Sequence, residues 1–418
     1  QSDYVVRSIR QRQAVIPFNK LKRAYFNLVA DDKLKHIYPV ATFNPATGFF
    51  DLDLDIEPDK DIIASIGGNV ASRSINQAFI GLEYKFLGRL ALSVFANTHI
   101  GKFYTSGQLR GRLDVPGVVP FFIEGGITLN QWNYFESFST FFEETKPSFL
   151  TQTERYAILD AGLPLGTKLK FIGSLGWANF TNKYYLTPDF TNDDDPDAAT
   201  VNLMTTAARL ERNTLNRRQY ANQGRAYMVR FRMNWGREVN VPSTTSPTDT
   251  VFEQDHLWVS IRLKYEQYFR IIKPLRVGIL AEVMFSTQDF FSNYAASTLM
   301  APVFQPTPES STLFLQQFRA NKWAGAGARI VWTIWKQLDL RVEGYTFHPY
   351  QRFSQNPDLS TAYKPIQWDP RFMGMGGLVY NSPVGPISLI VNYHDKEETP
   401  WSVLFHIGYI LFNNRALE

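Results

Sequence analysis

The sequence predicts an all-β transmembrane barrel of about 16 antiparallel strands, preceded by a small, truncated α+β domain. Three observations lead there. Runs of about ten residues alternate strictly between apolar and mixed positions, the length a tilted strand needs to cross a bilayer. Near the end of the chain Ile387, Leu389, Val391 and Tyr393 alternate with Ser388, Asn392 and His394, and Val403, Phe405, Ile407, Tyr409 and Leu411 repeat the pattern. Long loops and tight turns alternate along the chain, which a globular β-protein has no reason to do. Aromatics are abundant (33 Phe, 20 Tyr and 9 Trp) although no stretch of eighteen apolar residues could form a spanning helix.

Residues 1–61 read as the small domain. Pro17 opens a helix that sets Phe18, Leu21, Tyr25 and Leu28 at helical spacing. Two strands follow, Val40 to Asn44 and Phe49 to Glu57, joined through Pro45-Ala46-Thr47-Gly48. Asp51, Asp53 and Asp55 suggest a calcium loop, but Ile56 stands where such a loop needs glycine. The run is instead an amphipathic strand with Leu52, Leu54 and Ile56 inward. Two helices and two strands leave an open sheet edge, so a further strand is expected upstream of Gln1.

From residue 62 the alternating runs fall near 62–74, 77–87, 90–99, 104–114, 120–133, 155–164, 168–182, 199–215, 225–237, 256–270, 275–286, 323–335, 338–348, 373–382, 386–395 and 401–412. Several connections after even-numbered runs are tight, as at Gly88-Arg89 and Lys336-Gln337. Those after the fifth, seventh, ninth, eleventh and thirteenth are long, the longest near 287–322. With the small domain on the periplasmic side, this parity places the long loops outside the cell. The first run must pair with the last to close the barrel. Gly67, Gly68 and Gly408 stand in that seam, and glycine weakens strands, so this is the expected weak pairing.

Charges alternate with apolar residues on the ninth to thirteenth runs: Arg230 and Arg232, Arg262, Lys264 and Glu266, Arg276 and Glu282, then Asp339, Arg341 and Glu343. An Arg or Lys facing lipid at mid-bilayer costs about 2–4 kcal/mol, so these side chains point into the lumen. Both signs occur, and an ion-paired lumen is expected.

The helix-helix-strand-strand order of residues 1–61 resembles a POTRA module, the periplasmic repeat of outer-membrane insertases. Phe318-Arg319-Ala320-Asn321 in the sixth long loop resembles the Val-Arg-Gly-Phe/Tyr motif of insertase-superfamily barrels of the BamA and TamA types. Ala320 replaces the motif glycine, and Glu343 stands for the usual Asp. The resemblance implies that Arg319 tucks into the lumen against Glu343, with Asp339 as the second choice. Ile66-Gly67-Gly68-Asn69-Val70-Ala71-Ser72-Arg73, Gly101-Lys102-Phe103-Tyr104 and Phe405-His406-Ile407-Gly408-Tyr409-Ile410-Leu411-Phe412 resemble the barrel half of patatin-like phospholipases. That resemblance implies an anchor, and an exporter, for a catalytic domain upstream. The alternatives are an insertase or translocase without an enzyme, or a passive porin-like channel.

No Gly-x-Ser-x-Gly elbow occurs, so no catalytic residue is assigned and this chain carries no hydrolase. Without cysteine, and with six scattered histidines, no metal site or cofactor is expected. Asp193-Asp194-Asp195-Pro196-Asp197 reads as a solvated loop, and Arg209, Arg212, Arg217 and Arg218 as an interfacial belt. The expected partners are the lipid bilayer and lipopolysaccharide, with a homodimer or an outer-membrane assembly complex left open and no nucleic acid. The expected location is the bacterial outer membrane, with the POTRA-like domain in the periplasm.

Overall fold

The structure, a computed structural model, describes residues 2–9, 15–29, 34–58, 60–117, 119–135, 148–166, 168–187, 189–397 and 399–418. The small domain contains α1 (Ser2–Ile9), α2 (Phe18–Val29), β1 (Leu34–Asn44) and β2 (Phe49–Pro58). The two strands form an antiparallel hairpin with Val40 opposite Asp53. Alternation in β2 leaves Asp51, Asp53 and Asp55 exposed, while Leu54 and Ile56 pack with Val5, Ile9, Leu34 and Ile37. Ala91 and Leu87 of the barrel join the same cluster, so the small domain seats on the barrel rim.

The barrel strands are β3 (Ile62–Ala71), β4 (Gln77–Leu87), β5 (Ala91–Gly101), β6 (Tyr104–Val115), β7 (Phe121–Tyr134), β8 (Leu150–Leu165), β9 (Leu169–Tyr184) and β10 (Asp197–Asn213). They continue with β11 (Arg225–Val241), β12 (Phe252–Arg270), β13 (Leu275–Ser286), β14 (Lys322–Trp335), β15 (Leu338–Pro349), β18 (Arg371–Ser382), β19 (Gly385–His394) and β20 (Trp401–Gly408). Two three-residue strands, β16 (Phe353–Gln355) and β17 (Thr361–Tyr363), form a separate hairpin within the loop between β15 and β18. Each barrel strand pairs antiparallel with its neighbour, and β20 pairs with β3, closing a barrel of 16 strands.

The outer face is apolar and exposed along the whole circumference, as at Ile80, Leu129, Leu175, Phe231, Leu257, Ile330 and Leu389. In water such a surface would be untenable, and in lipid it is the contact surface. Among the described residues no helix is long and apolar enough to cross a membrane, so strands do the crossing.

Two departures from the periodicity matter. The sixth, ninth and tenth barrel strands extend beyond the predicted bounds; β12 reaches 19 residues. The last strand stops at Gly408 rather than continuing to Phe412, and residues 409–418 turn into the lumen. At Gly408 φ is +96°, and an added Cβ would lie 2.2 Å from the Gly68 carbonyl oxygen. Only glycine makes this turn.

The longest loop, 287–321, also folds inward. It carries the helix α3 (Tyr294–Met300) and two 3₁₀ turns, and buries Phe304, Leu315 and Phe318 against Trp323, Tyr345, Phe347 and Met373. A barrel of 16 strands encloses a channel wide enough for water; this loop and the C-terminal tail occupy much of it.

Candidate functional site

Lumen-facing charges gather in a hub across β12, β14 and β15. The register sets Arg329 directly opposite Glu343. Glu343 accepts from Arg341 Nε at 2.8 Å and pairs with Arg341 Nη2 at 2.7 Å and with Arg329 Nε at 3.5 Å. Arg329 also bonds Glu266, the Tyr268 hydroxyl at 2.6 Å and the Tyr345 hydroxyl at 2.7 Å. Two guanidiniums and two carboxylates thus satisfy one another with little water, the arrangement a buried ion pair requires. The hub also fastens the long loop and the turn between β10 and β11. Arg329 Nη2 donates to the Pro306 carbonyl of the long loop at 3.1 Å. Arg341 Nη1 donates to the carbonyls of Tyr220 and Ala221, in the turn between β10 and β11, at 3.1 and 3.0 Å.

The two expected partners of Arg319 are therefore taken by others. Arg319 is buried in the lumen, as expected, but it meets neither Glu343 nor Asp339. Its Nη1 donates to the carbonyls of Thr298, Leu299 and Ala301 at 3.4, 3.2 and 3.1 Å, and its guanidinium stacks 4.8 Å from the Phe314 ring. A cation at the last turn of α3 satisfies carbonyls the helix leaves open. Asp339 accepts from Arg217 at 2.7 Å and from Thr333 at 2.7 Å, at the short-turn rim. Arg217 is thus a lumen anchor rather than part of an interfacial belt.

A second buried cluster was not legible. Tyr220, at φ +52°, donates to the Glu309 carboxylate, and its hydroxyl lies 2.8 Å from His406 Nε2. His406 Nδ1 lies 3.0 Å from the Gly408 carbonyl. One hydrogen-bonded chain therefore joins the long loop, the β10–β11 turn and the last strand. No spacing in the sequence connects these three segments.

His406 belongs to the seam. Between β20 and β3 only three residue pairs form: His406 with Ala71, Ile407 with Val70 and Gly408 with Asn69. Every other barrel pairing has seven or more, the next shortest running from Ile387 to Tyr393. Ser72 extends the seam slightly, donating its N–H to the Phe405 carbonyl at 2.9 Å. Below Asn69, residues 62–68 of β3 have no strand partner on this side among the described residues. At Gly68, φ is +153°, and a Cβ would lie 2.2 Å from the Gln77 carbonyl oxygen. Gly67 is different: a Cβ there would meet only the Phe79 ring at 3.8 Å.

Past Gly408 the tail runs along the lumen wall without forming a strand. Gln219 bonds both main-chain groups of Ile410, and Gln77 donates to the Leu411 carbonyl at 2.9 Å. The Tyr104 hydroxyl accepts from Asn413 N, while Asn130 and the Tyr156 hydroxyl donate to the Asn414 carbonyl. Glu154 accepts from Ala416 N at 3.2 Å, and Arg232 donates to the main-chain oxygens of Ala416 and Glu418 at 2.6 and 3.1 Å. Arg415 stacks 4.1 Å from the Trp132 ring and pairs with Glu154 at 3.6 Å.

Neither a protein-family model nor a curated protein sequence matches this chain. Solved structures do match its fold. BamA from Haemophilus ducreyi lacking POTRA domains 1-3 aligns over 97% of this chain and 81% of that one, with a TM-score of 0.61 and 12% identity. The fold is that of BamA-like barrels. CdiB from Acinetobacter baumannii aligns over 97% of this chain and 71% of its own, with a TM-score of 0.53 and 12% identity. CdiB from Escherichia coli gives 97% and 73%, with 0.52 and 9%.

Proposed function

We propose that this chain is an outer-membrane barrel that inserts polypeptides into the membrane or moves them across it, working through a seam that opens. The observation that carries this reading is the three-pair closure of β20 on β3 in a barrel whose other pairings are all longer. Backbone groups of β3 left without a strand partner can add a client strand, the usual chemistry of an open sheet edge. The likeness to BamA and CdiB supports the insertase or translocase reading over that of an anchor for an upstream phospholipase, for which no observation here speaks. A lumen occupied by a loop and a tail also disfavours a passive pore.

Residues 1–61 then act as a partial, periplasmic POTRA domain that hands clients to the nearby seam, and the long loops face outward. The helix-helix-strand-strand order and its packing on the β4–β5 rim support this placement. Lipopolysaccharide and an assembly complex are the partners this location supplies. The test is reconstitution in liposomes with two clients, an unfolded outer-membrane barrel and an extended secreted polypeptide. Faster folding of the first or protection of the second from external protease is expected. Empty-vesicle rates for both would overturn the reading.

A further inference from the structure

We propose that the lumen wall from β4 to β12 is a binding track for an extended, acidic polypeptide, and that the tail 409–418 occupies it as an internal stand-in. The proposal rests on the translocase or insertase reading and names the substrate chemistry of the lumen. Three observations carry it.

First, the wall grips the tail by its backbone. Eight main-chain atoms of residues 410–418 bond to wall or turn side chains, whereas the chain makes no strand there. Recognition of main-chain N–H and C=O groups is indifferent to sequence, so other extended segments fit the same donors and acceptors.

Second, the track ends in a row of arginines that the tail neutralises only in part. Register places Arg209, Arg230 and Arg262 side by side across β10, β11 and β12, and Arg232 follows on the same face of β11. Like charges directly opposite one another repel. Arg262 has Glu282 at 2.5 Å, and Arg209 has Glu211 at 3.0 Å, although Lys170 shares that carboxylate. Arg232 holds only main-chain oxygens of the tail, those of Ala416 and Glu418. Arg230 is 5% exposed and, among the described residues, makes no hydrogen bond or ion pair. Lys264 stands opposite Glu282, and Asp160 adds one carboxylate to the field of Arg232. The Glu418 carboxylate lies in the field of Arg262, Arg415, Arg230 and Lys264. One acidic residue therefore faces a surplus of cations.

Third, there is room. A cavity of about 230 Å³ lies beside the end of the tail, lined by Arg218, Arg415, Glu418 and Trp132. A segment carrying two or more acidic side chains near one end would meet Arg230 and Arg232 where the tail brings a single acidic side chain.

The experiment uses the full chain in detergent micelles and fluorescence anisotropy of labelled ten-residue peptides. One peptide ends in three glutamates, one is its scrambled isomer with the same end, and one carries glutamines instead. Asn97 and Asn413 touch through their side chains at 2.8 Å, and the chain has no cysteine. In Asn97→Cys/Asn413→Cys a short thiol crosslinker therefore pins the tail in place. Both acidic peptides are expected to bind the uncrosslinked barrel alike, and at least tenfold more weakly once the tail is pinned. Arg230→Gln/Arg232→Gln should weaken the acidic peptides at least tenfold more than the glutamine peptide, which loses only the main-chain bonds that Arg232 supplies. Removal of residues 409–418 should tighten binding, since the competitor is gone; if that variant fails to fold, the crosslink decides. Peptide affinity indifferent to both the crosslink and the arginines would overturn the proposal. Insertion or translocation in liposomes without such binding would sink the track alone and leave the proposed function standing.

Discussion

Replacing Glu343 by glutamine keeps the shape of the lumen hub and removes the charge that two arginines share. The Glu343 side chain is 4% exposed and receives both Arg341 Nε and Nη2, with Arg329 at 3.5 Å. A glutamine amide would present one acceptor and one donor to a site lined by donors. Breaking a buried pair by neutralising one member costs about 3–5 kcal/mol. The low end applies here, because Arg329 keeps Glu266 and Arg341 keeps the carbonyls of Tyr220 and Ala221. About 3 kcal/mol is a loss of roughly 100-fold in the folding equilibrium. Urea unfolding in lipid vesicles, followed by tryptophan fluorescence, measures it. A double-mutant cycle then separates partners: Arg341→Met with Glu343→Gln should show coupling of about 1.5–3 kcal/mol, and Arg319→Met with Glu343→Gln less than about 0.5 kcal/mol. Stability unchanged in Glu343→Gln, or strong coupling to Arg319, would refute the reasoning.

Gly408→Ala places a Cβ against the Gly68 carbonyl at a positive φ; a cost of about 1–3 kcal/mol is expected from that strain, read as a lower unfolding midpoint. Arg319→Met leaves three carbonyls at the end of α3 without their cation; the expected result is faster proteolysis within 287–321 with the barrel itself intact. Burial pushes the Glu309 carboxyl above its ordinary value. Its folded form binds the proton more tightly than the unfolded form, so its contribution is full below the ordinary carboxylate range and is lost as pH rises through the raised value. Glu309→Gln, which can still accept from Tyr220, should flatten that pH dependence in unfolding curves taken between pH 4 and pH 8 (about the range a raised carboxyl spans).

The sixteen strands were legible because lipid on one side enforces period-two alternation, and every predicted run overlaps an observed strand. The expected seam partners were also legible, since closure requires them. The partner of Arg319 was not. Counted strictly from the two-residue turn Lys336-Gln337, Glu343 would oppose Ile330; a bulge between Thr333 and Trp335 shifts the register by one and brings Arg329 opposite it. Bulges have no reliable sequence signal. The tail misled for a related reason. Tyr409 and Leu411 continue the apolar alternation, and only Gly408 hints that the chain turns away. Glu309 and Tyr220 sit in loops without periodicity, where packing in the lumen, not local pattern, decides position.

The central claim is that the β20–β3 seam opens while the rest of the barrel stays closed. The direct measurement is a disulfide placed across it, with Val70→Cys opposite Ile407→Cys, compared with one across β18 and β19, with Leu378→Cys opposite Leu389→Cys. Client insertion or translocation should stop in the oxidised seam variant, return on reduction, and persist in the oxidised β18–β19 variant. Full activity with the seam locked would contradict the account and leave the barrel as an anchor.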